Sequence, residues 1–432
     1  MKIAIITAGG AGMFCGSCMQ DNTLARTLRL AGEDAVLVPT YTPITVDEED
    51  VSSDRVFLGG INVYLDSAVP GWRWLPGWMT HWLDRPAIIR TLAKFGSTDA
   101  ARLGSLTLDM LKGNHGPQRR EVEEFGEFLC GELQPDVIIF SNALLSGMLS
   151  ELRPRFSGTI LCLLQGDDVF LEALAPRWKQ PVLQQLRQNC NAFDGFLTHS
   201  DFYRLFMAEY LQIAEHRFRR IPLTIDIADL HTEPTVADNR VRSDNDPFCI
   251  GYFARICPEK GVQNLLTAAA QALAKVPLAS VNVAGYLAPQ NRRWFERLLN
   301  QANEQLDGRV RWLGSPTSRA EKFSILRDFD VLCVPTDYRE PKGLYVLEAG
   351  LAGVPSLLPR HGAFPELVEG LGHGRLYDPQ HPTALAEAIT VVCSDRTVDR
   401  HALPERVRSR HSMTSTGTPL VEAIRSFQAL SS

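Results

Sequence analysis

Short apolar runs alternate with helix-length amphipathic segments along almost the whole chain, the pattern of a parallel sheet covered by helices. In the first half the runs at 3–7, 35–38, 137–140, 160–164 and 195–198 read as strands. In the second half those at 248–253, 280–284, 310–313, 331–334 and 356–358 do so. Between the two sets lies HTEPTVADNRVRSDNDP (231–247), aperiodic and rich in Asp, Asn, Pro and Thr, which reads as a linker or surface loop. The expected boundary therefore falls near residue 228, with one α/β domain over 1–228 and a second over 229–432. The closing PLVEAIRSFQAL is a helix whose docking site the sequence leaves undetermined. No internal repeat is visible at solenoid periods.

An insertion at about 66–125 differs in character. GWRWLPGWMTHWLDRPAIIRTLAKFG holds Trp72, Trp74, Trp78 and Trp82, with Arg85, Arg90 and Lys94 close behind. Aromatics beside cations can form a membrane-interface or acceptor-binding element. The reading preferred here is plainer: tryptophans pack an extra helix onto the first domain.

Length and composition narrow the classes. A chain of 432 residues exceeds one ordinary core, so two domains of roughly 200 residues are expected. Its 45% hydrophobic and 22% charged residues are those of a globular protein, and a net charge of −6 offers no bulk field for nucleic acid. The opening MKIAIITAGG is too short in its apolar run for a signal peptide and reads as a first buried strand. No apolar stretch approaches the ~20 residues that span a bilayer. Nine scattered cysteines, several inside apolar runs (Cys162, Cys249, Cys333), suit buried thiols in a reducing cytoplasm.

Four stretches carry chemistry. IITAGGAGMFCGSCMQDNTLARTL reads as strand, glycine turn and helix, where Gly10 and Gly12 let backbone N–H groups approach an anion at a helix start. A nicotinamide or flavin site is excluded, because Cys15 stands where another glycine is needed. The second strand also ends in Val38-Pro39-Thr40 with no acidic residue for a ribose. Cys15 and Cys18 form a C-x-x-C at that helix start, where a thiol pKa would fall, but with no second such pair for zinc they read as structural or incidental. IGYFARICPEKGVQNLL (250–266) puts Arg255 and Lys260 in a strand-to-helix loop, where two cations can converge on a phosphate.

The last stretch, REPKGLYVLEAGLAGVP (339–355), follows the apolar run 331–334. On one continuous helix Glu340 and Glu348 would sit about 12 Å apart and roughly 80° out of line. With Glu340 on a loop and a helix starting near Gly343, both can face the space beyond the strand's carboxyl end, where open α/β sheets bind ligands. The amides of Gly343 and Leu344 and the charge of Lys342 suit an anion; Glu340 suits sugar hydroxyls and Glu348 a ribose diol.

FARICPEKG, EPKGLYVLEAGLAGVP and GAFPELVEG, in that order, resemble the group 1 (family 4) glycosyltransferases of the GT-B fold, over most of 248–390 and more loosely in the first half. The resemblance implies two Rossmann-like domains with parallel sheets facing a cleft, and transfer of a sugar from a nucleotide-diphosphate-sugar donor with retention. It implies that Arg255 and Lys260 hold the diphosphate, that Glu340 and the amides of Lys342, Gly343 and Leu344 contact donor sugar and phosphate, and that Glu348 takes the ribose. VRWLG (310–314) falls where the family's base-contacting backbone lies, and Gly10 and Gly12 match its first-domain glycine loop.

Two departures bear on the chemistry. Lys342 falls within the family's variation before the glycine and bears on donor choice. Gln165, in ILCLLQGDD, stands where many members carry a histidine; it can bond a hydroxyl but cannot shuttle a proton. Glu340, Gln165 and Asp168 are nevertheless the candidate catalytic residues. Asp167 or Asp168 either orients an acceptor or caps the following helix. His199 reads as structural. Asp328-Phe329-Asp330 matches a metal-binding D-x-D, but is expected to cap a helix; Arg255, Lys260 and helix dipoles can neutralise a leaving diphosphate, so neither cofactor nor metal is expected. The acceptor, whether lipid, glycan or small metabolite, is left open, as is peripheral contact with the inner membrane face through 72–94. Alternatives are another GT-B activity, such as a nucleotide-sugar epimerase or phosphorylase, or a non-catalytic nucleotide-sugar-binding or redox module using Cys15 and Cys18.

Overall fold

A computed structural model of the protein describes residues 1–9, 16–53, 57, 103–227, 247–274, 276, 279–395 and 400–431. Gly10, Gly12, Cys15 and the tryptophans at 72, 74, 78 and 82 lie outside them. The chain divides into two compact units, one of residues 1–224 with 416–432 and one of 225–415.

The first unit is built on a six-stranded parallel sheet. Its strands are β1 (Lys2–Thr7), β2 (Asp34–Pro39), β3 (Val137–Phe140), β4 (Thr159–Leu163), β5 (Gly195–Thr198) and β6 (Phe218–Arg220), in the order β2-β1-β3-β4-β5-β6. The middle strands are buried at every position, because helices such as Gly16–Leu30 and Pro176–Cys190 cover the sheet.

The second unit repeats the plan with β7 (Phe248–Phe253), β8 (Ala279–Ala284), β9 (Val310–Trp312), β10 (Val331–Cys333), β11 (Ser356–Pro359) and β12 (Arg375–Tyr377). Their order is β12-β11-β10-β7-β8-β9. The chain steps outward from β7 through β8 to β9, then returns to lay β10 on the other side of β7. The β7–β10 boundary is thus a topological switch point, where the loops leaving the two carboxyl ends part and open a crevice for a ligand. In the first unit β1 and β3 stand in the same relation.

All ten expected strands form, with ends shifted by a residue or two. The domain boundary differs from expectation. It falls at 224/225, and residues 416–432, expected with the second half, join the first unit. The cause is hydrophobic: Leu420, Ile424 and Phe427 of the Met413–Ser431 helix enter the core formed by Ile3, Ile5, Leu24, Leu161 and Leu197. A Cβ on Gly195 would lie 2.0 Å from the Phe427 ring, so glycine in β5 makes room for that helix. Arg425 bridges to Glu33 at 2.8 Å, and the Thr224 hydroxyl donates to that of Thr416 at 2.9 Å. Among the described residues no helix is long and apolar enough to cross a membrane.

Candidate active site

In the second unit the two loops flanking the switch point are stitched together before any side chain reaches outward. After β7 the chain makes a short turn, Pro258–Lys260, and enters the Val262–Ala272 helix through Gly261 at φ +75°. A Cβ on Gly261 would come within 1.7 Å of the Pro335 carbonyl oxygen, so only glycine lets this helix start pass so close to the end of β10. Asn264 donates to the Pro335 carbonyl (3.3 Å) and to Asp337 (2.6 Å), and the Asp337 amide donates to the Glu259 carbonyl (3.1 Å). The backbone of Glu340 is held from the other side: Ala363 N–H donates to its carbonyl at 2.8 Å, beside Gly362 at φ +61°.

This scaffold brings Lys260 and Glu340 together. The Lys260 Nζ donates to Glu340 Oε2 at 2.7 Å, and the same oxygen accepts from the phenols of Tyr338 (2.9 Å) and Tyr345 (2.8 Å). The ammonium also lies 5.0 and 4.9 Å from those two ring centroids, within cation–π range. Lys260 and Glu340 are both buried. Burial pushes the Glu340 carboxyl up, but the Lys260 charge and the bonds from Lys260, Tyr345 and Tyr338 outweigh it and hold the carboxyl below its ordinary value. Burial first, and then the Glu340 charge, raise both phenols well above theirs. The group is a charge-neutral unit of a cation, an anion and two neutral donors.

The other expected residues fall around it. Gly343, at φ +71°, is the N-cap of the Leu344–Leu351 helix, whose first amides have no partner within the helix. Lys342 is buried in that loop. Arg255 is exposed, bridges to Glu259 at 3.6 Å, and its charge acts to lower the Tyr338 pKa. Glu348, in the second turn of the helix, is buried and receives Lys322 Nζ at 2.8 Å. Asp330, the second acid of the D-x-D, accepts from the Cys249 amide (2.7 Å) and pairs with Arg400 (3.2 Å), which ties β7 to β10.

In the first unit Gln165, at the end of β4, is buried and donates to Asp21 Oδ1 (2.7 Å) and to the Ser141 carbonyl (3.3 Å); Thr7 donates to Asp21 Oδ2 at 2.6 Å. The network ties the carboxyl ends of β1, β3 and β4. Asp167 accepts from the amides of Ala143 (2.6 Å) and Gln165 (3.1 Å), and burial raises its pKa to about 6. Asp168 accepts from the buried Tyr203 phenol at 2.6 Å; burial raises its pKa and that bond opposes the rise. Both acids therefore serve as internal acceptors. His199 Nδ1 faces the Pro222 carbonyl at 3.2 Å.

Sequence reasoning missed Tyr338, Tyr345 and Lys322. The tyrosines were within view, two residues before and five after Glu340. Lys322 lies eighteen positions upstream of Glu340 on a separate helix, Arg319–Arg327, with no motif around it.

Residues 236–410 match the family described as glycosyl transferases group 1. Over that segment the chain is similar to the group 1 glycosyltransferases. The D-inositol 3-phosphate glycosyltransferase of Corynebacterium jeikeium is 34% identical over 143 residues, 32% of this chain; the chain spans about a third, 34%, of that relative's length. Among solved structures, sucrose-phosphate synthase from Thermosynechococcus elongatus superposes at a TM-score of 0.70 with 19% identity and 100% of both chains covered. HepE of Anabaena, solved in complex with UDP, gives 0.66 with 16% identity, over 99% of this chain and 100% of that one. At such identities the likeness is one of fold, and the fold is the GT-B type expected.

Proposed function

We propose that the protein transfers a sugar from a nucleotide-diphosphate-sugar donor to a sugar- or inositol-type acceptor, with retention at the anomeric carbon and without a metal. One observation carries this: Lys260, Glu340 and the Gly343-capped helix start gather at the β7–β10 switch point, inside the segment that matches the family. An ammonium has three N–H donors. One serves Glu340, leaving two for a phosphate without breaking the buried pair. The amides opening the Leu344–Leu351 helix and Arg255 add positive potential for the leaving diphosphate. In a retaining transfer on the donor's front face, the leaving phosphate itself takes the acceptor proton, so a glutamine at position 165 is compatible with turnover.

The name of the Corynebacterium relative motivates testing inositol phosphate as acceptor, and the UDP bound to HepE motivates testing UDP-sugars first, with GDP-sugars beside them. Release of nucleoside diphosphate only when donor and acceptor are both present is the expected result. Donor consumption that regenerates a nucleotide-linked epimer would favour the epimerase reading. No binding of any nucleotide-sugar would end the proposal.

A further inference from the structure

Glu348 and Lys322 form a second buried ion pair, on two helices rather than on the loops. The Lys322 Nζ sits 2.8 Å from Glu348 Oε1, with both side chains no more than about a tenth exposed. Lys322 occupies the first turn of Arg319–Arg327, a helix whose start is fixed by Ser318, which accepts from the Glu321 amide. Its neighbour Arg319 is also buried and donates to the Asp226 carbonyl. Glu348 Oε2 takes no hydrogen bond among the described residues, and it is not among the side-chain atoms sealed from solvent. The carboxylate is thus anchored by one oxygen and presents the other.

We infer that Lys322 is a positioning residue for nucleotide recognition: by holding Glu348 Oε1 it fixes Oε2 as the acceptor for a ribose hydroxyl of the donor. The inference rests on the donor site proposed above. Two physical effects follow. A carboxylate free to rotate would lose its aim at a hydroxyl, because alignment decides the strength of such a bond. A bare buried carboxylate would also repel an incoming diphosphate, whereas the pair with Lys322 is neutral. Lysine suits this task because its compact ammonium can hold one oxygen and leave the second; a guanidinium would claim both in a fork.

The test is the discrimination between ribose and deoxyribose, which a merely structural lysine would leave unchanged. Calorimetric titrations would use UDP, 2′-deoxy-UDP, GDP and 2′-deoxy-GDP against wild type, Lys322→Met, Lys322→Arg and Glu348→Gln. Wild type is expected to prefer its ribonucleotide over the deoxy form by roughly tenfold or more, the scale of a charge-assisted hydrogen bond. Lys322→Met should reduce that preference to about twofold or less while binding both forms more weakly. Lys322→Arg, which keeps the charge and so guards against a folding failure of the methionine variant, should also reduce it by drawing in both oxygens. Glu348→Gln should reduce it with phosphate affinity largely kept. A wild-type preference that survives in both Lys322 variants overturns the inference with the donor site intact. Binding of none of the four nucleotides to wild type overturns the donor site itself.

Discussion

Lys260 and Glu340 neutralise each other in a buried position, and that pairing makes stability and donor affinity separable. Among the described residues, Lys260→Met leaves the Glu340 carboxylate with the Tyr338 and Tyr345 phenols as its partners. Breaking a buried pair from one side costs about 3–5 kcal/mol. With two hydrogen bonds retained the lower end applies, about 3 kcal/mol. For a unit of this size that is a fall in Tm of roughly 6–12 °C. Glu340→Gln strands the ammonium and should cost a similar amount. The double variant Lys260→Met/Glu340→Gln removes both charges and should recover to within about 1 kcal/mol of wild type. If Lys260 holds the phosphate as proposed, nucleotide affinity should not recover, and UDP or GDP binding should weaken by roughly 10- to 100-fold. Melting curves and calorimetric titrations of the three variants decide the matter. A double variant as unstable as the singles would show that the two charges do not balance each other. A stable double variant that binds nucleotide as wild type does would refute the phosphate role of Lys260.

Other features of the structure make further demands. Gly261→Ala introduces a Cβ at φ +75° and 1.7 Å from a carbonyl oxygen, so it should lower Tm and nucleotide affinity together; an unchanged melt would show that the loop yields freely. Asp167, raised to about 6 by burial, is neutral in the fold where it is charged in the unfolded chain, so its contribution is full below about pH 4 and is lost as pH rises through 6. Melts of Asp167→Asn should therefore decline less than those of wild type as pH rises from about 4 to about 6; parallel curves would contradict this. Phe427→Ala removes a ring with 1% exposure from the first unit's core and should cost about 3–5 kcal/mol. A small effect in the melt would mean that the terminal helix is not an integral part of that core. Removal of divalent ions by a chelator should leave transfer intact, and abolished turnover would restore a metal.

The fold was legible where burial is complete. The ten strands read from the sequence are short, mostly apolar runs in parallel sheets, and the two that were missed, Phe218–Arg220 and Arg375–Tyr377, are three-residue edge strands that each carry arginine. An edge strand pairs on one side only and needs no apolar run to announce it. The docking of the terminal helix was not legible, because its partner is a core assembled from residues hundreds of positions away; Gly195 opposite Phe427 shows only in three dimensions. In the candidate site, Arg255, Lys260, Glu340, Gly343 and Glu348 can be singled out from the sequence because loop position and residue type coincide with the switch point. What the sequence could not show was how the charges are matched. In the motif Lys260 looks like a cation open to phosphate and Glu340 like an acceptor open to a hydroxyl, whereas in the structure the two pair with each other. Glu348 likewise has Lys322, a pairing between helices whose spacing leaves no trace in a linear motif. Gln165 and Asp168 show the reverse: polar residues at strand ends look available in sequence, but here they bond Asp21 and Tyr203 inside the first unit.

The central claim is that a donor's diphosphate settles on Lys260 and on the helix start at Gly343. A crystal structure of the protein grown with UDP or GDP tests it most directly. The account predicts diphosphate density within hydrogen-bond distance of Lys260 Nζ and the amides of Gly343 and Leu344, with Glu340 still joined to Lys260. Nucleotide density at any other place in the second unit, with Lys260 and Glu340 undisturbed, would contradict it.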